Sequence, residues 1–292
     1  MSENIFLHGG RLGDTVMALY AVKKLGGGVF QMCARHEYPY GKDQLLSMLR
    51  LVEYQSYIKR ALHVNVPLKY MKTSRSVNQP GYAQLTPDEN MFSGITPLPW
   101  THSFIDAENW IKSDYDARLI YPECSAAGKN WIHVIHQAQH HSRFFNVEWK
   151  PDTVWLEAPA TKTGVDIVFH APSYRLVRSR ESWCKILVEL SKSRNVVILT
   201  GERDRDDWIS ISNDVMTIVP PDFLETADYI NSAKCLLGAA SSCYCVAEAL
   251  RKLRFIELKT DCYNTYCYGE TGKIINDLTD EQLVEHVLQA TI

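Results

Sequence analysis

Residues 4–34 read N-I-F-L-H-G-G-R-L-G-D-T-V-M-A-L-Y-A-V-K-K-L-G-G-G-V-F-Q-M-C-A, and this stretch decides the fold class. Asn4–His8 is a short apolar strand, followed by the glycine-bearing loop Gly9–Asp14. In Thr15–Leu25 the apolar residues Val16, Leu19, Ala21, Val22 and Leu25 fall near a 3.6-residue period, which predicts a helix with one face on a sheet. Gly26-Gly27-Gly28 stops it, because glycine takes the positive φ of a helix C-terminus at low cost. Val29–Ala34 then predicts a second strand, parallel to the first. A second helix is predicted over Asp43–Leu51, and a third around Trp131–His141. Between them, residues 70–99 are rich in Thr, Ser, Asn, Gln, Gly and Pro and predict a long loop.

The same alternation returns further on. Strands are predicted at Asp166–His170, Asn195–Thr200, Met216–Val219, Lys234–Gly238 and Arg254–Leu258. Helices are predicted at Glu181–Lys192, around Glu225–Ser232, at Tyr244–Leu253 and at Asp280–Ala290. Strands alternating with helices of ~10 residues imply a parallel sheet covered on both faces. The chain has 292 residues, and at ~100–200 residues per domain this predicts two Rossmann-like domains facing a cleft. The expected division is 1–158 for an N-terminal domain and 159–278 for a C-terminal one. A closing helix at 279–292 is expected to pack back on the first domain.

Hydrophobic residues make up 46% and charged residues 22%, which excludes a disordered chain. A net charge of −3 gives no global basic field of the kind that marks a general nucleic-acid or membrane-surface binder. Nowhere do 18 consecutive apolar residues occur, so no membrane span is expected. The start M-S-E-N-I-F lacks a secretory pattern, and the 8 cysteines fit neither zinc nor CxxC spacing. Reduced thiols and a cytoplasmic location are the expectation.

In parallel α/β sheets ligands bind beyond the carboxyl ends of strands, which selects three loops. The first, G-G-R-L-G-D (9–14), is neither G-x-G-x-x-G nor a Walker A motif, and no acidic residue closes the second strand. This weakens a dinucleotide-dependent oxidoreductase. Asp14 is either a first-turn carboxylate favouring the positive end of a helix or a general base. The second loop, H-A-P-S-Y-R-L-V-R-S-R (170–180), places Arg175, Arg178 and Arg180 before a helix, an arrangement suited to a diphosphate. The third puts Ser241 and Ser242 ahead of a helix, where they serve either as caps or beside a phosphate. His133, His136 and His140 could share a helix face, but no carboxylate accompanies them, so an exposed polar helix rather than a metal site is expected.

Three segments resemble the family-nine glycosyltransferases, the lipopolysaccharide heptosyltransferase family. G-R-L-G-D-T-V-M-A-L-Y-A-V-K-K-L (10–25) is similar to the family's opening G-x-x-G-D motif. Asp166–Trp183 with V-V-I-L-T-G (196–201) is similar to its second-domain strand, loop, tryptophan-bearing helix and turn. Ala227–Ala249 is similar to its last helix-strand-loop. Two departures stand out: Tyr20 replaces a proline, and A-S-S-C-Y-C (240–245) keeps only the serine of D-S-G-x-x-H.

The resemblance implies a GT-B glycosyltransferase of α/β class, moving a sugar from a nucleotide-diphosphate donor to an acceptor hydroxyl with no obligatory metal or other cofactor. It implies Asp14 as the base and Arg11 at the acceptor. Donor contacts would come from Gly13, His170, Arg175, Arg178, Arg180, Gly201, Glu202, Ser241 and Ser242. The expected partners are a nucleotide sugar and, slightly favoured, a glycan acceptor. Hydroxymethylated DNA as acceptor and a non-catalytic nucleotide- or carbohydrate-binding protein are the alternatives. A basic and aromatic set, Lys59, Arg60, Lys69, Lys72, Arg75, His140, His141 and Arg143 with Tyr70, Tyr82, Phe92 and Trp100, would attract either acceptor.

Overall fold

A computed structural model describes residues 4–8, 12–33, 42–64, 71–73, 83–85, 95–97, 136–209, 211, 215–259, 267 and 269–292. The chain divides into two compact units, Met1–Trp149 and Lys150–Ile292.

In the first unit the described elements are β1 (Ile5–His8), α1 (Leu12–Lys24), β2 (Gly28–Cys33), α2 (Lys42–Glu53), β3 (Ile58–Val64), β4 (Met71–Thr73), β5 (Ala83–Leu85), β6 (Ile95–Pro97) and α3 (Gln137–Phe144). A parallel sheet has the order β3-β2-β1-β6, and β4 and β5 form a separate antiparallel pair. The predicted long loop is thus corrected: it carries three short strands, one of which seats beside β1. Helix α1 is buried continuously from Thr15 to Val22, so it is covered on all sides rather than amphipathic. Helix α3 packs on it. The glycine stop is sterically required at Gly27, where φ is +69° and a Cβ would lie 1.8 Å from the Tyr57 carbonyl oxygen.

The second unit contains β7 (Ile167–His170), α4 (Arg180–Ser191), β8 (Val196–Leu199), β9 (Met216–Ile218), α5 (Phe223–Ser232), β10 (Cys235–Ala239), α6 (Ser242–Ala249), β11 (Leu253–Glu257), β12 (Gly272–Ile274) and α7 (Asp280–Ala290). All pairings in its six-stranded sheet, β12-β11-β10-β7-β8-β9, are parallel. The strands read as apolar runs because both faces are covered; V-V-I-L in β8 is buried throughout. On one face Ile167, Phe169, Val196, Ile198 and Leu237 meet Trp183, Ile186 and Leu187 of α4 and Leu283 and Val287 of α7. The closing helix packs within this unit. The Phe169 ring centroid lies 5.0 Å from those of Trp183 and Trp208.

Candidate functional site

In the second unit chain order reverses between β7 and β10: the first strand of the unit is flanked by the second on one side and the fourth on the other. At such a reversal the loops leaving the two strands diverge, so the crevice that takes a ligand is expected beyond their carboxyl ends. Their close approach depends on Gly238, which pairs with His170 across the ladder at φ +146°. A Cβ there would lie 2.1 Å from the His170 carbonyl oxygen.

One wall is the loop after β7. Glu257, at the end of β11 and with a fully buried side chain, anchors it. The carboxylate accepts from the Val177 amide at 3.0 Å, the Arg178 amide at 2.8 Å, Arg178 Nη1 at 3.0 Å and Trp183 Nε1 at 3.2 Å. Arg178 also donates to the carbonyls of Ile275 and Leu278 and lies 3.4 Å from Asp280. Its guanidinium is committed to the protein interior, so the expectation that it meets a donor is corrected: it holds the loop. Arg180 is also occupied, pairing with the Asp207 side chain and backbone carbonyl and lying 6.0 Å above the Trp208 ring. Arg175, half-buried in the helical turn Ser173–Arg175, is the arginine set directly after β7, with its guanidinium 5.5 Å from the exposed Tyr174 ring.

The other wall is the start of α6. Ser179, Asp222 and Thr279 cap α4, α5 and α7 through their side chains. Ser241 occupies the same position before α6 but makes no side-chain cap bond, and among the described residues its Oγ is buried without a hydrogen-bond partner. Capping therefore does not account for Ser241, and the amides opening α6 at Ser242 and Cys243 carry the positive end of the helix toward the crevice. Behind them α6 is fixed by buried charges. Glu248 accepts from Tyr244 Oη at 3.2 Å and pairs with Arg251 and Arg254, while Arg254 Nη1 donates to Thr271 Oγ1 at 2.7 Å.

His170 closes β7 with Nδ1 2.8 Å from the Leu199 carbonyl oxygen, so that nitrogen carries the proton. Burial lowers its pKa, leaving a neutral ring whose Nε2 is an acceptor, suited to a hydroxyl rather than to phosphate charge. After β8, Gly201 and Glu202 are exposed, with open space beside Gly201.

In the first unit Asp14 lies in the first turn of α1, with Gly13 beside it. Its Oδ1 accepts from Gln137 Nε2 at 2.9 Å. Arg11 lies outside the described residues, as do His133, Lys69, Arg75, Tyr70, Tyr82, Phe92 and Trp100. Lys59 and Arg60 are exposed on β3, Lys72 is in β4, and His140 and Arg143 are in α3. The expected exposure is corrected at His136. His136 precedes α3 and is fully buried, its ring 5.2 Å from that of Trp149; His141 is fully buried as well. Burial pushes the His141 pKa down to about 3. Among the described residues no three His, Cys, Asp or Glu side chains are grouped to hold a metal. No helix there is long and apolar enough to cross a membrane. Cys184, Cys235, Cys243, Cys245 and Cys267 are free thiols.

No protein-family model and no curated protein matches the chain. Solved structures do. E. coli heptosyltransferase WaaC with ADP-2-deoxy-2-fluoro heptose superposes with a TM-score of 0.60 at 12% identity, over 99% of each chain. A glycosyl transferase of family 9 from Veillonella parvula gives 0.57 at 11% identity, over 99% of this chain and 97% of that one. A candidate UDP-N-acetylglucosamine 2-epimerase from Listeria monocytogenes gives 0.53 at 12%, over 99% and 88%.

The chain has the GT-B fold.

Within this GT-B chain, sequence reasoning missed three polar residues that organise the candidate sites: Gln137, Glu248 and Glu257. Two carried a signal. Glu257 ends the apolar strand L-R-F-I-E, and Glu248 interrupts the apolar run of α6, positions where a carboxylate persists only if it is paired.

Proposed function

We propose that the protein transfers a sugar from a nucleotide-diphosphate donor to an acceptor hydroxyl. The observation that carries this reading is the start of α6. It lies at the strand-order reversal, is not capped by Ser241, and stands across the crevice from the loop bearing Arg175. Helix amides, a helix dipole and a nearby guanidinium are the elements that bind a diphosphate and stabilise it as it leaves. Neutral His170 and the Gly201–Glu202 turn supply hydroxyl and nucleoside contacts.

In the transfer, the acceptor oxygen forms a bond to the anomeric carbon. The bond from that carbon to the diphosphate oxygen breaks, its electron pair leaving with the nucleoside diphosphate. The hydroxyl proton passes to Asp14. A glycan acceptor is favoured over DNA by the net charge of −3.

A thermal-shift panel of ADP-glucose, ADP-heptose, UDP-glucose, UDP-N-acetylglucosamine, GDP-mannose and NAD tests the donor class. A ligand at 100 times its Kd adds about 2.7 kcal/mol, so at least one nucleotide sugar is expected to raise the Tm by several degrees. A response to NAD alone refutes the reading.

A further inference from the structure

We propose that Gln137 is a positioning residue for the Asp14 carboxylate, an inference that rests on Asp14 serving as the base. Gln137 is the first residue of α3, far from Asp14 in sequence, yet its Nε2 donates to Asp14 Oδ1 at 2.9 Å. The residue is 7% exposed, and its chain neighbours His136 and Ala138 are fully buried. The platform beneath it is stiff. His136 stacks on Trp149, Trp149 meets the edge of Tyr20 at 4.7 Å, and the Tyr20 hydroxyl donates to the Glu148 carbonyl at 2.8 Å. The Ser142 hydroxyl closes back onto the Ala138 carbonyl at 2.8 Å. An amide held this rigidly fixes the plane of the carboxylate it bonds.

The chemistry suits the task. A primary amide donates to a carboxylate without competing for its proton, whereas Lys, Arg or a protonated His would pair with the charge. When water replaces the acceptor, its oxygen bonds to the anomeric carbon and one proton goes to Asp14. The second stays on the new sugar hydroxyl, and the nucleoside diphosphate departs with the electron pair. Donor hydrolysis therefore reports on the base without a known acceptor.

The test measures sugar release from the panel's nucleotide sugars by wild type, Gln137→Met, Asp14→Asn and the double variant, with Tm for each. Methionine keeps the length and apolar packing of glutamine but cannot donate. Gln137→Met is expected to lower kcat by about 10- to 100-fold, the worth of a hydrogen bond to a charged group, while donor KM and Tm hold. In the Asp14→Asn background it is expected to lower kcat no further, because there is no carboxylate left to orient. A Gln137→Met rate within twofold of wild type beside a slow Asp14→Asn overturns the positioning role and leaves the base intact. Equal losses of rate in both backgrounds, accompanied by a lower Tm, reduce Gln137 to a tie between helices and overturn it too. A fast Asp14→Asn, or a wild type that releases no sugar from any panel member, overturns the underlying reading as well.

Discussion

Replacing Glu257 with Gln probes the anchor of the loop after β7. The wild-type carboxylate is fully buried and receives four donors, two of them main-chain amides of the loop after β7. Its partner, the Arg178 side chain, is 10% exposed. Glutamine preserves shape but removes the negative charge that Arg178 needs, and it turns one acceptor into a donor facing N–H groups. Removing one member of a buried ion pair costs about 3–5 kcal/mol, and because Asp280 still lies 3.4 Å from Arg178 a loss at the lower end of that range is expected. Part of that returns in the double variant Glu257→Gln/Arg178→Met, where no charge is stranded; the lost anchor for the Val177 and Arg178 amides remains. Urea unfolding of the second unit should therefore show a loss of 3 kcal/mol or more for the single variant and a smaller loss for the double. Nucleotide-sugar affinity should fall in both, since both release the loop. A single variant within about 0.5 kcal/mol of wild type would refute the assignment of Glu257 as the anchor, and unchanged affinity in both would detach the loop from the donor.

Arg175→Ala is expected to weaken nucleoside-diphosphate binding tenfold or more, whereas Arg180→Ala, tied to Asp207, leaves it within about twofold; calorimetric titration with ADP and UDP checks both. Gly238→Ala forces a Cβ into the His170 backbone at a left-handed φ and should lower the stability of the second unit by several kcal/mol, read by urea denaturation. For His141 the folded pKa of about 3 lies below the unfolded value near 6.5, so the unfolded chain takes up the proton first. Stability is then lost as pH falls from about 6.5 toward 3, by about 2 kcal/mol between pH 7 and pH 5 from this residue. His141→Leu should flatten that part of the pH–stability curve, and an unchanged slope contradicts the assignment.

Much of the second unit was legible because its strands are short apolar runs separated by helices whose start signals are local. Ser179, Asp222 and Thr279 cap in the structure as their residue types suggest. The first unit was less legible beyond β2. Strand β3 mixes charged and apolar residues without a clean alternation (I-K-R-A-L-H-V) and carries no turn signal strong enough to isolate it. Strands β4, β5 and β6 are three residues each, and what defines β6 is its pairing with β1. The histidine reading failed for another reason: polarity predicts exposure, but the His136 ring is buried against that of Trp149, a tertiary choice no local pattern encodes. The three candidate loops could be selected from strand–helix alternation alone. That Arg178 turns inward could not be read that way, because this depends on Glu257, about 80 residues away in sequence.

A crystal structure of the protein with the nucleotide sugar that raises its Tm most tests the central claim directly. The account predicts diphosphate oxygens about 2.7–3.2 Å from the amides of Ser242 and Cys243, with Arg175 on the same group. A nucleotide bound away from the β7–β10 crevice, with the start of α6 empty, would contradict it.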